Sequence, residues 1–308
     1  MTAAPDITAR SWLMVAILGL TWGATFLVTE VALEGITPFW LAAGRIGFAA
    51  VLMALIWGGK GWQLFETRPG GADWQVLIFV GAFSSAVPFM LLAWGQQFVT
   101  SGFAGVSMAA VALIVLPLAH FLVPGETLNL RKVIGFVIGF LGVVVLIGGQ
   151  VFESTGALLE TPGRIACIAA ASCYAVSSIL LRRLPAVNTI GLATVLLLIG
   201  AAIVVPVAWV VEGPPPLPSG KTLLVIGFLG IVPTAGANLL RVLVVRTAGP
   251  VFMSLTNYQV PIWSVVLGAV LLSEPLPASL LLAMVLILSG VGLSQFGALS
   301  RLFRAKNQ

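Results

Sequence analysis

Apolar residues fill this chain in long runs, separated by short polar segments containing glycine, proline or charge. A helix that crosses the hydrocarbon core of a bilayer needs about 20 mostly apolar residues. Runs of that length predict ten spans, near residues 12–33, 37–57, 74–94, 102–123, 131–149, 164–184, 189–211, 221–245, 250–273 and 278–298. Helix is the assignment because lipid satisfies no backbone polar group, and because the runs lack the alternation of membrane-barrel strands. The two longest connections, Gly58–Asp73 and Gln150–Gly163, have the composition of loops. Arg10 followed by an apolar run has the look of a signal peptide. With no small-residue cleavage site and further spans behind it, it reads as a retained first span.

Composition agrees. Of the 308 residues, 59% are hydrophobic and 8% charged, against roughly 25% charged in soluble domains. The bilayer is therefore the solvent for most of the chain. A net charge of +5 in a soluble protein would suggest nucleic acid; here the positions of the charges indicate orientation, and no nucleic-acid partner is expected. With a cytoplasmic N-terminus, Arg10, Lys60, Arg68, Arg131, Lys132, Arg182, Arg183, Arg241, Arg246, Arg301, Arg304 and Lys306 fall at or near the inner face. Arg164 and Lys221 fall outside and Arg45 within a span. The positive-inside rule then places both termini in the cytoplasm and requires an even number of spans. Trp12, Trp40, Trp57, Trp62, Trp74, Trp94 and Trp209 lie near span ends, where an amphipathic ring suits the interface, whereas Trp22 and Trp263 lie mid-span.

The chain repeats itself at an offset of roughly 150 residues. Gly125-Glu126-Thr127-Leu128 matches Ser273-Glu274-Pro275-Leu276, Gly142-Val143 matches Gly290-Val291, Val87-Pro88 matches Val232-Pro233, and Trp22 with Thr25 matches Tyr174 with Ser177. Five spans per half, an odd number, force the second half to cross in the opposite sense. The expected fold is an all-α membrane protein of ten transmembrane helices arranged as two inverted five-helix repeats, residues 1–150 and 151–308, a plan that secondary transporters use for alternating access.

Trp22-Gly23-Ala24-Thr25-Phe26, Thr37-Pro38 followed by Arg45, and the span-ending Gly125-Glu126 and Ser273-Glu274 resemble the EamA-type transporters of the drug/metabolite transporter superfamily. The resemblance covers both halves. It implies a ten-helix inverted-repeat fold that exports amino acids, other metabolites or drugs. One departure is that Pro261 precedes Glu274 at the family's usual spacing, whereas Leu113 holds the equivalent place before Glu126, with Pro117 nearby.

Polar groups in a span are costly unless they face protein or a cavity. Ser254, Asn257, Pro261, Ser264 and Gly268 follow helical spacing on one face, and Tyr258 adjoins them. That face is either a cavity wall or a helix–helix contact. Trp22 and Thr25 in the first half, and Tyr174 and Ser177 in the second, suggest a pseudo-symmetric pocket; the alternative is core packing with each hydroxyl bonded back to its own helix. Pro88, with Ser84 before it, and Pro233 interrupt helices at corresponding places, which points to a site or hinge. The expected substrate-binding set is Trp22, Thr25, Ser84, Pro88, Tyr174, Ser177, Pro233, Asn238, Asn257 and Tyr258. Arg45, deep in its span, needs a partner; Glu30 is the candidate, as an ion pair that clasps two helices or gates them, with a substrate carboxylate as the other reading. Arg241 reads as a snorkelling anchor and His120 as an interfacial histidine.

Cys167 and Cys173 form no metal or redox motif, and no cofactor is expected. Ser219-Gly220-Lys221-Thr222 imitates a phosphate-binding loop, but Pro215 holds the place of its required first glycine. An intramembrane enzyme would need a nucleophile–base pair or an acidic cluster, and the spans supply neither. The expected function is secondary transport of a neutral, partly apolar metabolite such as an aromatic amino acid across a bacterial inner membrane. The competing readings are a lipid-linked or sugar metabolite flippase or permease, and a receptor or assembly protein. The expected partners are a small-molecule substrate and the lipid bilayer.

Overall fold

A computed structural model describes residues 7–66, 68–123, 127–148 and 159–304. Gly125 and Glu126, most of the Gln150–Gly163 loop, and the side chains of Arg301, Arg304 and Lys306 lie outside the described residues. The predicted runs are helical. The first two are α1 (Ala9–Leu33) and α2 (Pro38–Gly58). The third joins α3 (Gly71–Gly81) to α4 (Val87–Gly95) through a π-helical turn, Ala82–Ala86. The fourth is α5 (Ser101–Met108) with α6 (Ala110–Leu122), and the fifth to seventh are α7 (Leu130–Gly148), α8 (Glu160–Leu181) and α9 (Thr189–Glu212). The eighth joins α10 (Gly220–Leu229) to α11 (Ala237–Met253) through a second π-helical turn, Gly230–Gly236; α12 (Thr256–Leu271) and α13 (Ala278–Arg304) complete the set.

Among the described residues, nine of these runs are long and apolar enough to span a membrane. The remaining one, α12, has 16 residues. Its shortness is explained just before it. Gly249 within α11 has φ +85° and ψ 162°, a conformation open to glycine but not to a helix. Pro250–Met253 therefore begins the ninth run, where the sequence predicts its start, rather than ending the eighth. The chain is a multi-pass membrane protein. Its large outward side chains, such as Leu55, Phe121, Val210, Leu224 and Val270, have lipid as their solvent.

Lipid tails are as apolar as leucine, so helices in a bilayer associate through close van der Waals packing, which small residues permit. Gly135 lies against Gly290 and Ser294, and Gly142 against Ile287, which makes α7 and α13 antiparallel. α2 and α9 are antiparallel as well: Thr194 Oγ1 donates to the Met53 carbonyl at 3.2 Å, while Gly200 lies near Ile46 and Gly191 near Trp57. Gly19 lies against Gln259 and Gly23 against Trp263, so α1 and α12 run parallel. The buried Arg164 is ion-paired with Glu160 on its own helix and donates to the Ile147 carbonyl at 3.0 Å, tying the end of α7 to the start of α8.

One end of the bundle is fastened by carboxylates reaching across the chain. The first N–H groups of a helix lack intrahelical partners and carry partial positive charge. Glu212, at the end of α9, accepts from the N–H groups of Phe39 at 2.9 Å and Trp40 at 3.1 Å and from Thr37 Oγ1 at 2.6 Å, capping α2. Ser273 adopts φ +55°, and the Glu274 N–H turns back to the Gly268 carbonyl at 3.2 Å. That turn aims the Glu274 carboxylate at the start of α5, where it accepts from the N–H groups of Ser101 at 2.9 Å and Gly102 at 3.0 Å.

Two outcomes follow from this packing. A side chain at Gly290 would meet the Gly135 carbonyl at 2.4 Å and the Gly139 nitrogen at 2.5 Å, both backbone atoms, whereas one at Gly47 would meet nothing within 4 Å. Gly290→Leu is expected to cost about 3 kcal/mol or to block folding, and Gly47→Ala to leave the melting temperature in detergent unchanged. Glu212→Ala removes the acceptor for three donors and is expected to cost about 2 kcal/mol, read as a lowered melting temperature with an unchanged helical circular dichroism spectrum at 20 °C.

Candidate functional site

The site begins with a proline. Pro233 has no N–H, so the Leu229 carbonyl loses its helical partner. Thr234 Oγ1 takes that place, donating to the Leu229 carbonyl at 2.8 Å. The wide turn leaves further carbonyls for side chains. Trp22 Nε1 of α1 donates to the Pro233 carbonyl at 3.0 Å, and Asn238 Nδ2 donates to the Thr234 carbonyl at 2.6 Å. Thr234 Oγ1, its proton committed, accepts from Arg45 Nε at 2.8 Å, and the Arg45 guanidinium lies 4.4 Å from the Phe89 ring centroid. The third run has the matching turn before Pro88; there the Val87 N–H reaches back to the Ala82 carbonyl.

These groups border a central cavity of about 450 Å³, within the size range of small-molecule sites. Eight of the ten runs line it; α7 and α13 do not. Trp22, Phe26, Phe89 and Tyr174 form aromatic walls, and Arg45, Gln96, Asn238, Arg241 and Asn257 supply polar heads. Access is one-sided. At one end Thr29 and Gln96 are buried, with Gln96 Nε2 donating to the Phe26 carbonyl at 2.8 Å. At the other end the lining residues Ser178, Arg241 and Asn257 are exposed. The sealed end is the one fastened by Glu212 and Glu274.

Of the residues expected from sequence, Trp22, Thr25, Ser84, Tyr174, Ser177, Pro233, Asn238 and Asn257 line the cavity. Two do not. Pro88 is buried just after the first π-helical turn and is not among the lining residues. Tyr258 points to α13, its hydroxyl 3.5 Å from Gln295 Oε1, because it follows Asn257 by one residue and so turns about 100° away. The face running from Ser254 to Gly268 is divided: Asn257 and Pro261 reach the cavity, Ser264 and Gly268 pack against α5, and Ser254 meets Gln295 of α13 at 3.3 Å. The cavity hydroxyls are bonded back to their own helices, Thr25 to the Thr21 carbonyl at 2.9 Å and Ser177 to the Tyr174 carbonyl at 3.0 Å. Their protons are committed, and they offer lone pairs to the cavity. Ser84 Oγ is buried without a hydrogen-bond partner.

Glu30 and Arg45 do not form the expected ion pair. Arg45 is held by Thr234 and Phe89. Glu30 faces the carboxyl of Glu274 at the sealed end, with its Oε2 buried and unpartnered. The register of α1 sends Glu30 toward α5 while Arg45 leans toward the π-helical turn in the second half. Arg241, expected as an anchor in the headgroup region, lines the cavity. Gln96 and Thr234 were not anticipated; the hydroxyl directly after an intramembrane proline was the available signal for Thr234.

Residues 10–148 and 161–295 each match the EamA-like transporter family. Protein PagO of Salmonella typhimurium is 30% identical over 48% of this chain and 46% of its own length. The "Probable terminal-alkyne amino-acid exporter" of Streptantibioticus cattleyicolor is 29% identical over 47% of this chain and 48% of its own. The alignment thus spans about half the length of these curated relatives. The uncharacterized transporter YoaV of Bacillus subtilis is 21% identical over 92% of this chain and 96% of its own. A protein of known crystal structure, 23% identical, superposes on 94% of this chain and 98% of its own with a TM-score of 0.65, a likeness of fold. Two family matches that together cover most of the chain are decisive: it belongs to the EamA-like transporter family.

Proposed function

We propose that this protein is a secondary transporter of small metabolites that works by alternating access, and not an enzyme. Its two five-span repeats, residues 1–150 and 151–308, are related by inversion. The antiparallel contacts of α2 with α9 and of α7 with α13 support this, because each pair joins equivalent runs of the two halves. The π-helical turns before Pro88 and around Pro233 support it too. The observation that carries the functional reading is the cavity enclosed between the halves, reached from one end and sealed at the other.

Lys60, Arg182 and Arg183 are exposed at the reachable end, where Phe65 pairs with Val187 across the two loops. By the positive-inside rule that end faces the cytoplasm of a bacterial inner membrane, together with both termini. The described conformation is thus ready to take up a substrate from inside, in keeping with export. The aromatic walls fit a substrate with an apolar or aromatic body, and amino acids are the class to try first, as the name of the Streptantibioticus relative also suggests.

Purified protein in liposomes is expected to carry at least one aromatic amino acid or its close analogue above protein-free vesicles. Trp22→Ala and Asn257→Ala are expected to lower that flux at least tenfold, and Trp22→Phe, which keeps a ring, to keep most of it. Unchanged flux in both alanine variants would place the site elsewhere.

A further inference from the structure

Among the described residues the cavity wall has two guanidinium groups and no acidic side chain. Arg45 is oriented but not neutralised. Its Nε is taken by Thr234 at 2.8 Å and one face by Phe89 at 4.4 Å, while no carboxylate among the described residues is within ion-pair distance. Among the described residues its two terminal amino groups have no hydrogen-bond acceptor. Arg241 stands one turn beyond Asn238 on α11, exposed at the reachable end, also without a carboxylate partner among the described residues. The nearby acids are used elsewhere: Glu212 caps α2, Glu274 caps α5, and Glu30 faces Glu274, all outside the cavity wall.

A cation deep in a low-dielectric bundle is costly without a counter-charge. Arginine is the side chain whose paired donors match a carboxylate. We infer that the cavity recognises a carboxylate: the ligand is an organic acid anion with an apolar or aromatic body, its carboxylate bound by the terminal amino groups of Arg45, and Arg241 attracts it at the mouth. This rests on the transporter reading and narrows it. An ammonium group on the ligand is not required, because no acidic side chain among the described residues of the wall offers a counter-charge for one. The anion without an ammonium group therefore binds at least as tightly as the zwitterion, a change from the neutral substrate expected from sequence.

Four ligands of one shape test this with the wild-type protein in detergent, by calorimetric titration and ligand-induced thermal shift: 3-phenylpropanoate, phenylalanine, 3-phenylpropanamide and 2-phenylethylamine. The acid is expected to bind at least tenfold more tightly than the amide, phenylalanine no better than the acid, and the amine least. Arg45→Gln is expected to bring the acid down to the affinity of the amide while leaving the amide unchanged, and Arg45→Lys to restore part of the preference. Arg241→Gln is expected to weaken acid binding a few-fold at low salt and hardly at high salt. Absence of an acid preference in the wild-type protein overturns the inference, whether the amide binds equally, the amine binds best or none of the four binds. So does an Arg45→Gln variant that keeps the preference. Acid-selective binding without flux in liposomes would remove the transport reading and leave this one standing; flux indifferent to ligand charge would do the reverse.

Discussion

A backbone carbonyl or N–H without a partner is expensive where there is no water, and the central cavity of this molecule is shaped by that cost. At Pro233 the helix lacks one donor and the ladder widens into a π-helical turn. Thr234 repairs the loss at Leu229, and that repair fixes the hydroxyl that orients Arg45. The carbonyls of Pro233 and Thr234 position Trp22 and Asn238 in turn. One missing hydrogen bond thus sets the geometry of four cavity side chains from three different spans.

The packing of small residues determines where space is left. α7 and α13 meet where Gly135 lies against Gly290, so closely that a side chain at either would strike backbone, and neither helix lines the cavity. α1 joins α12 along Gly19 and Gly23, and α5 joins α12 at Gly105 and Ser264. Faces of the eight other runs, with Trp22, Phe89, Tyr174, Arg45 and Asn257 among their side chains, enclose the cavity.

The spans were legible in the sequence because hydrophobic length is a one-dimensional property; even the start of the ninth run at Pro250 was, although regular helix resumes only at Thr256. Pro233 and the aromatic–hydroxyl pairs Trp22–Thr25 and Tyr174–Ser177, singled out because polar or kinked positions in lipid need a reason, fall in the cavity wall, whereas Pro88 does not. Matters that depend on the rotation of one helix against another were not legible. A one-residue step separates Asn257 in the cavity from Tyr258 against α13. Glu30 and Arg45 are neighbours in the chain order of spans, yet their side chains leave α1 and α2 toward different partners. The capping of α2 by Glu212 joins positions far apart in sequence and has no periodic signature. Arg241 has the spacing of an interfacial anchor and is distinguished from one only by the neighbours that surround it.

Glu212 and Glu274 both belong to the part of the chain after residue 150, and both grip helix beginnings that come before it. Each carboxylate thus joins stretches of chain 172 to 175 residues apart in sequence, and separating those stretches at the sealed end would break the bonds of both. With each worth about 1–2 kcal/mol, the two caps together contribute about 2–4 kcal/mol to the described arrangement. A ligand that favoured an arrangement with these caps open would have to offset that amount by its own difference in affinity between the two arrangements.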